Sequence, residues 1–181
     1  MQRHIQRRHA TRDTPIIALW IDEYQNHITD FDPAFLAECR SHHGCMVVLT
    51  QSLHSFISSM KGAHDAEHKA EALLTNFGTK IFHQLGDEKT AQWASGLVGK
   101  SLQTFVGGSM QPIGDLWQEI TGRQKATTST SERYENILQN NAFFGLKTGG
   151  VANGLIAEAI VVRGEPFADG RQWKLVGFSQ E

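Results

Sequence analysis

The sequence predicts an α/β fold with a mostly parallel sheet, helices on both of its faces and a C-terminal antiparallel hairpin. Two short apolar runs, residues 16–21 and 45–50, contain no alternating polar residues, which is typical of strands buried on both faces. A helical segment of suitable length separates them, so the two runs predict a right-handed βαβ unit. Near the end of the chain, two further strand patterns flank Asp169 and Gly170, a dipeptide that favours a hairpin turn.

Composition limits the class of protein. The 181 residues suffice for a hydrophobic core, and we expect residues 1–181 to form a single domain. A net charge of −2 argues against nucleic-acid binding through overall positive charge, but it leaves a local basic patch open. Two cysteines are too few for a disulfide framework and suit a reducing cytoplasm. No apolar run approaches the roughly 18 residues of a membrane span, and no signal peptide is recognisable.

The elements up to the second strand follow from local signals. Residues 1–14 are basic and predict a solvated helix, with a contact to nucleic acid as the alternative. Pro15 opens the first strand, where a missing N–H costs no ladder hydrogen bond. Asp32 and Pro33 predict the start of the crossover helix as N-cap and first helical residue. Gly44 predicts its left-handed end.

The rest of the chain alternates helical and strand patterns. We predict helices at 52–61, 65–76, 88–97 and 132–139, and strands at 79–85, 143–146, 155–162 and 172–178. Residues 107–131 are polar and end in a run of Ser and Thr, which predicts a mobile excursion with a short helix near 113–120.

The first strand runs directly into two carboxylates, Asp22 and Glu23. Open α/β sheets bind their ligands at the carboxyl ends of strands, and this pattern is that of a Walker B motif. In such a motif the first acid holds Mg²⁺, usually through water, and the second polarises the water that attacks the γ-phosphate. A buried strand that ends in a solvated acidic turn gives the same short pattern.

Two further polar residues follow in the order that a nucleotide site requires. Arg40 lies 18 residues after Asp22 on the predicted crossover helix, where it could reach a phosphate across a subunit interface. Gln51 lies 29 residues after Asp22 at the tip of the second strand, where it could orient the attacking water. Each also has a plain structural interpretation, since Arg stabilises helix C-termini and Gln often occupies turns.

These residues carry a family resemblance. Segments 17–23, 38–40, 48–52, 74–81, 87–91, 146–150 and 158–162 resemble the VirD4/TraG/TraD type IV coupling proteins, hexameric ATPases of the FtsK–HerA group. The resemblance implies the C-terminal part of a RecA-like P-loop NTPase core. It also implies that Asp22 and Glu23 are the Walker B acids, Arg40 an arginine finger and Gln51 a γ-phosphate sensor.

The resemblance further implies the function of the intact protein. A homo-hexamer would use ATP and Mg²⁺, with the metal at Asp22 and the nucleotide contacted by Asp22 and Gln51. It would feed single-stranded DNA and relaxase to a type IV secretion channel from the cytoplasmic side of the bacterial inner membrane. The parent protein would be anchored there, without membrane contact by this segment. The alternative is a non-catalytic docking module, or a degenerate fragment, that binds relaxosome or secretion proteins.

The sequence departs from the family at Walker A. That loop lies on a strand well before Walker B, and only 21 residues precede Asp22 here, so we expect no ATP hydrolysis by this chain alone. Residues 94–101 fit a loose P-loop pattern, but a helical pattern precedes them and an extended one follows. A P-loop requires the opposite order, so we predict that Lys100 is a loop lysine.

A cluster of metal-binding residue types follows the crossover helix. Its members are Cys39, His42, His43 and Cys45, and their spacing fits no common structural zinc site. We interpret them as core thiols and surface histidines, because free cysteines are usually buried and inert.

Overall fold

The computed structural model describes residues 1–60, 65–111 and 125–180. The helices are α1 Gln2–Gln6, α2 Asp32–Glu38, α3 Leu53–Ser59, α4 Ala66–Thr75, α5 Glu88–Val98 and α6 Asn141–Phe144, with 3-10 turns at Tyr24–Asn26, Cys39–His42 and Val151–Asn153. The strands are β1 Ile17–Ile21, β2 Gly44–Val48, β3 Thr79–Phe82, β4 Lys100–Gln111, β5 Lys125–Asn136, β6 Ile156–Arg163 and β7 Trp173–Ser179.

These strands form three sheets. β1 and β2 pair in parallel, β6 lies between β3 and β7 in an antiparallel sheet, and β4 pairs with β5 as an antiparallel ribbon. The α/β class, the parallel unit around α2 and the C-terminal hairpin are confirmed. The sequence predicts a mostly parallel sheet, but among the described strands β1 and β2 pair in parallel and the other strand pairs are antiparallel. The turn between β6 and β7 is too short for a parallel crossover, which needs a dozen or more residues.

The first strand is buried on one face only, although its apolar run predicts burial on both. Ile17, Leu19 and Ile21 pack against the core, whereas Ile16 and Trp20 expose 73% and 72% of their surface. The strand pairing places Val47 of β2 beside Trp20, on the same outer face. Because parallel sheets are normally covered on both sides, an apolar face left open by the described residues is unusual.

The β1–β2 sheet and the β3–β6–β7 sheet each pack on a hydrophobic core. The first lies beneath β1 and β2 and comprises Ile5, Tyr24, Phe35, Cys39, Met46, Phe56, Ala70 and Leu73. The second lies between α5, α6 and the β3–β6–β7 sheet and comprises Phe82, Ala91, Ala94, Val98, Phe143, Leu146, Ile160 and Val162. A buried hydrogen bond of 2.9 Å from the Leu53 amide to the Thr90 hydroxyl connects α3, which packs on the first core, with α5 of the second.

Two predicted elements near the ribbon are wrong. The helix predicted at 132–139 is largely strand, because β5 continues to Asn136 with Tyr134 directly opposite Leu102 of β4. The strand predicted at 143–146 is instead the short helix α6, which buries Phe143 edge-on against Phe82. Short apolar runs do not distinguish strand from helix, and here the fit into the second core decides.

The predicted excursion and the predicted end of α2 also differ. Residues 107–111 and 125–131 belong to β4 and β5, whereas residues 112–124, with the predicted short helix, lie outside the described residues. His43, at φ 51°, takes the left-handed conformation predicted for Gly44. Gly44 instead begins β2, where a Cβ atom would lie 2.7 Å from Cγ2 of Ile5, so close packing explains the glycine.

Candidate functional site

The register of β1 and β2 places the predicted site residues at one end of their sheet. Ile17 pairs with Gly44 and Ile21 with Val48, so both strands end at the same edge. The pairing continues beyond the strands, because the Leu49 amide donates to the Ile21 carbonyl at 3.0 Å. The residues that follow each strand therefore leave the sheet side by side.

Glu23 lies between two side-chain amides at this edge. Nε2 of Gln51 donates to its Oε1 at 3.0 Å, and Nε2 of Gln25 donates to its Oε2. The Thr50 hydroxyl in turn donates to Oε1 of Gln25 at 2.8 Å. The structure therefore brings together Glu23 and Gln51, two of the residues that the sequence singles out, and adds Gln25 and Thr50 to them.

The backbone at Glu23 turns the chain sharply. Glu23 has φ 48° and ψ 44°, a left-handed conformation that costs a residue with a side chain about 1 kcal/mol or more. The 3-10 turn Tyr24–Asn26 follows at once, and the Tyr24 amide donates to the Leu49 carbonyl at 2.9 Å. This turn carries Gln25 back towards the carboxylate.

A buried carboxylate anchors that turn. Asp32 is 1% exposed and accepts four hydrogen bonds of 2.7–2.9 Å, from the Gln2 amide, the Tyr24 hydroxyl, and the amide and hydroxyl of Thr29. Burial alone would raise the pKa of Asp32, but these bonds outweigh it and the net pKa is lowered. Burial and the hydrogen bond to Asp32 raise the pKa of Tyr24. Phe31 rather than Asp32 occupies the N-cap position of α2, which corrects the predicted cap.

Asp22 has an open environment. Its side chain is exposed, and its Oδ1 accepts the Glu23 amide at 2.8 Å. Among the described residues, no three or more His, Cys, Asp or Glu side chains gather into a metal-binding group. An exposed carboxylate is nevertheless the oxygen donor that Mg²⁺ takes when phosphates and water supply its other ligands.

The structure does not bring Arg40 to the other site residues of its own chain. Arg40 is exposed in the 3-10 turn that precedes Gly44, and Gly44 pairs with Ile17 at the start of β1. Asp22 follows the other end of the strand. Five strand residues separate the two ends by ~16 Å, so the side chain of Arg40 does not reach its own Asp22.

Sequence reasoning missed four residues that shape this site: Tyr24, Gln25, Asp32 in its buried role, and Thr50. Tyr24 and Gln25 lie between the predicted first strand and the crossover helix and match no motif, and Thr50 is the last residue of the predicted second strand. The available signal was the polar pair Thr50 and Gln51 at the end of the second apolar run, which corresponds to the acidic pair at the end of the first.

The other motifs lie elsewhere. Helix α5 ends at Val98, Gly99 has φ 97°, and β4 begins at Lys100. A helix therefore precedes a strand in the loose P-loop pattern at residues 94–101. The helix-first order is confirmed, whereas the prediction of a loop lysine is wrong because Lys100 begins a strand. Nδ1 of His42 and Nδ1 of His43 form hydrogen bonds with the carbonyls of Arg8 and Thr14, while Cys39 is buried.

A cleft adjoins the Tyr24–Asn26 turn. Residues of α3 and α4, including Ser58 and Lys69, line it together with Gln25 and Asn26. The four predicted site residues do not line this cleft. Their chemistry therefore belongs to the sheet edge and not to the cavity.

A family model described as the TraM recognition site of TraD and TraG matches residues 17–147. The chain belongs to this family. The resemblance to TraD/TraG-type coupling proteins is thereby confirmed, and the matched range contains Asp22, Glu23, Arg40 and Gln51. Their catalytic roles stay predictions.

The fold of this TraD/TraG-family chain is similar to that of a solved bacterial conjugative coupling protein, TrwBdeltaN70, in an unbound monoclinic form. The TM-score is 0.59 at 14% identity over 99% of this chain, so the two chains share a similar fold. The chain spans 35% of the length of that structure. No curated protein matches this chain by sequence. In the described parts of the chain, no helix has the length and apolarity needed to cross a membrane.

Proposed function

We propose that this chain is part of an ATP-driven conjugative coupling protein, to which it contributes the water-activating half of the nucleotide site. The observation that carries this proposal is the hydrogen bond between Glu23 and Gln51 at the shared edge of β1 and β2, in a chain of the TraD/TraG family. A carboxylate and an amide at adjacent strand ends are the pair that orients an attacking water in nucleoside triphosphate hydrolysis.

Asp22 is the residue that would hold Mg²⁺. Its exposed carboxylate at the strand end fits the metal, and a bound Mg²⁺ would neutralise phosphate charge. Glu23 would accept a proton from the attacking water, directly or through its hydrogen bonds. Gln51 would donate to the γ-phosphate or to that water.

Arg40 would act on the nucleotide of a neighbouring subunit. The separation of ~16 Å between the two ends of β1 keeps it from its own site, and its exposure leaves the guanidinium available to a partner. This geometry supports an assembled ring, for which a homo-hexamer is our proposal. We further propose single-stranded DNA and relaxase as its substrates, and a type IV secretion channel as their destination.

A second candidate function is docking without catalysis. The match to a TraM recognition site of TraD and TraG favours it, because that description concerns recognition of a partner protein. In this case a relaxosome protein would bind the chain, and the acidic strand end would have no catalytic role.

Hydrolysis assays on two forms of the protein test the proposal. The 181-residue chain should show no ATPase activity above background, because its sequence offers no strand–loop–helix P-loop. The longest natural form that contains the chain should hydrolyse ATP, and Glu23→Gln should abolish turnover without weakening Mg-ATP binding. If the 181-residue chain hydrolyses ATP and Glu23→Gln abolishes that activity, the proposal that this chain supplies only half of the nucleotide site is overturned. Unchanged turnover of Glu23→Gln in the longest form would favour the docking function.

A further inference from the structure

The Glu23 carboxylate has a second amide partner besides the predicted sensor Gln51. Gln25 donates to the oxygen that Gln51 leaves free, so each carboxylate oxygen has its own donor. We propose that Gln25 is a positioning residue that holds Glu23 in its working orientation, with Thr50 fixing the Gln25 amide. This inference rests on the proposed function, because it assigns a role within the same site.

The hydrogen-bond chemistry determines which way the Gln25 amide faces. An ionised carboxylate only accepts hydrogen bonds, so the NH₂ group of Gln25 has to face Glu23. Its carbonyl oxygen then faces Thr50, whose hydroxyl donates to it at 2.8 Å. Thr50 follows β2 and Glu23 follows β1, so this chain of bonds ties the two strand ends together.

The backbone beneath Gln25 is rigidly supported. Gln25 follows Tyr24, which is 0% exposed, donates its hydroxyl to Asp32 and packs against Phe56 at 5.8 Å between ring centroids. Gln25 is itself half-buried, whereas Gln51 is exposed. The Gln25 side chain therefore contacts Glu23 from a well-supported backbone position, whereas the Gln51 side chain is exposed and accessible to a ligand.

This difference in exposure gives the two amides different roles. When the exposed Gln51 side chain turns to a γ-phosphate, its NH₂ group moves away from Glu23 and the bond to Oε1 is lost, because hydrogen bonds weaken steeply with distance and misalignment. Gln25 is held by the Thr50 hydroxyl and remains on the other oxygen. Without the Gln25 amide, the Glu23 carboxylate would have neither hydrogen bond at the moment when it has to orient the water. Removal of the Gln25 side chain should therefore lower kcat and leave KM nearly unchanged.

Steady-state kinetics on the longest natural form that contains this chain test the role. Gln25→Ala should lower kcat by about tenfold, a fraction of the roughly 10²–10⁴ that a positioned base contributes, with KM for Mg-ATP changed by less than about twofold. Thr50→Val should act in the same direction, and Thr50→Ser, which restores the hydroxyl, should recover most of the loss. Asn26→Ala is the matched control, since Asn26 is an exposed neighbour in the same turn.

A second measurement examines the contact without hydrolysis. In ¹⁵N–¹H spectra of the 181-residue chain, the side-chain NH₂ signals of Gln25 should shift in Glu23→Gln and in Thr50→Val, and should stay in place in Asn26→Ala. If the Gln25 NH₂ signals shift in neither Glu23→Gln nor Thr50→Val, the inference is overturned, whatever the hydrolysis assay shows.

The two measurements separate failure of the inference from failure of the proposed function. An enzyme that is inactivated by Glu23→Gln but keeps its kcat in Gln25→Ala retains the proposed function and overturns the positioning role. A protein that never hydrolyses ATP, while its Gln25 signals respond to both replacements, refutes the proposed function and leaves Gln25 as the residue that orients Glu23.

Discussion

Tyr24 and Asp32 are joined by a buried hydrogen bond of 2.8 Å, which fixes the turn after Glu23 to the first residue of α2. Asp32 also accepts a hydrogen bond from Gln2 in α1. One carboxylate therefore holds three segments together beneath the sheet edge. The position of Glu23 depends on this contact, although Asp32 lies well outside the predicted site.

Asp32→Asn should destabilise the fold by about 2–3 kcal/mol, because an amide cannot accept all four hydrogen bonds and leaves buried donors unsatisfied. Urea unfolding of the 181-residue chain measures the change. Asp30→Asn is the matched control, since Asp30 is exposed in the same loop and should alter stability by less than about 0.5 kcal/mol. Equal effects of the two replacements would contradict the anchoring role.

The same carboxylate predicts a dependence on acid. The pKa of Asp32 in the folded chain lies below its usual value of about 3.9. The ionised form therefore stabilises the fold above the unfolded pKa, and this stabilisation is lost as the pH falls through the folded pKa. The difference in unfolding free energy between wild type and Asp32→Asn should shrink below about pH 4. Urea titrations at stepped pH check this, and a constant difference would refute it.

Arg40→Ala should leave folding and nucleotide affinity almost intact and should cut hydrolysis by the assembled protein by a factor on the order of 10³, the range of arginine fingers. Arg40→Lys should rescue poorly, because an ammonium lacks the planar fork of two donors. Hydrolysis and nucleotide-binding assays on the longest natural form measure both effects. If Arg40 only stabilises its helix end, the change is confined to roughly 0.3–1 kcal/mol of stability.

Mixed assemblies test whether Arg40 acts in trans. Arg40→Ala subunits and Glu23→Gln subunits are each expected to be inactive alone. A junction that pairs an intact Glu23 with an intact Arg40 from its neighbour should regain activity. Absence of recovery at every mixing ratio, with assembly verified by size, would count against the trans role.

Lys100→Ala should leave hydrolysis by the longest natural form nearly unchanged, because Lys100 begins β4 after a helix and so lacks the strand–loop–helix setting of a phosphate-binding lysine. The kcat and KM for Mg-ATP measure this. A hundredfold loss of kcat, about 2.7 kcal/mol of barrier, would show that residues 94–101 bind phosphate after all.

Trp20→Gln should reduce self-association of the 181-residue chain. Trp20 and Ile16 expose an apolar stretch of a parallel sheet, and such a surface favours association in water. Light scattering over a concentration series should show a smaller mean mass for the variant. Leu19→Gln is the contrasting change, because Leu19 packs on the core and its replacement should unfold the chain. A mean mass unaffected by Trp20→Gln would disprove the role of this face.

The sequence by itself determined the βαβ unit, the C-terminal hairpin and the positions of Asp22, Glu23 and Gln51 at strand ends. These features depend on local chemistry: unbroken apolar runs form strands, and polar residues that follow a buried strand emerge at its edge. The resemblance to TraD/TraG-type coupling proteins rested on the same segments, and the family match confirms it.

Only the tertiary structure decided which side chains meet. Gln51 reaches Glu23 because the register of β1 and β2 aligns their ends, and Gln25 reaches it because a left-handed residue and a buried tyrosine fold the chain back. Long-range pairing likewise made residues 132–136 a strand, since their partner in β4 lies some thirty residues earlier. The exposed face of Trp20 has the same origin: composition shows that a residue is apolar, but the neighbouring elements determine whether anything covers it.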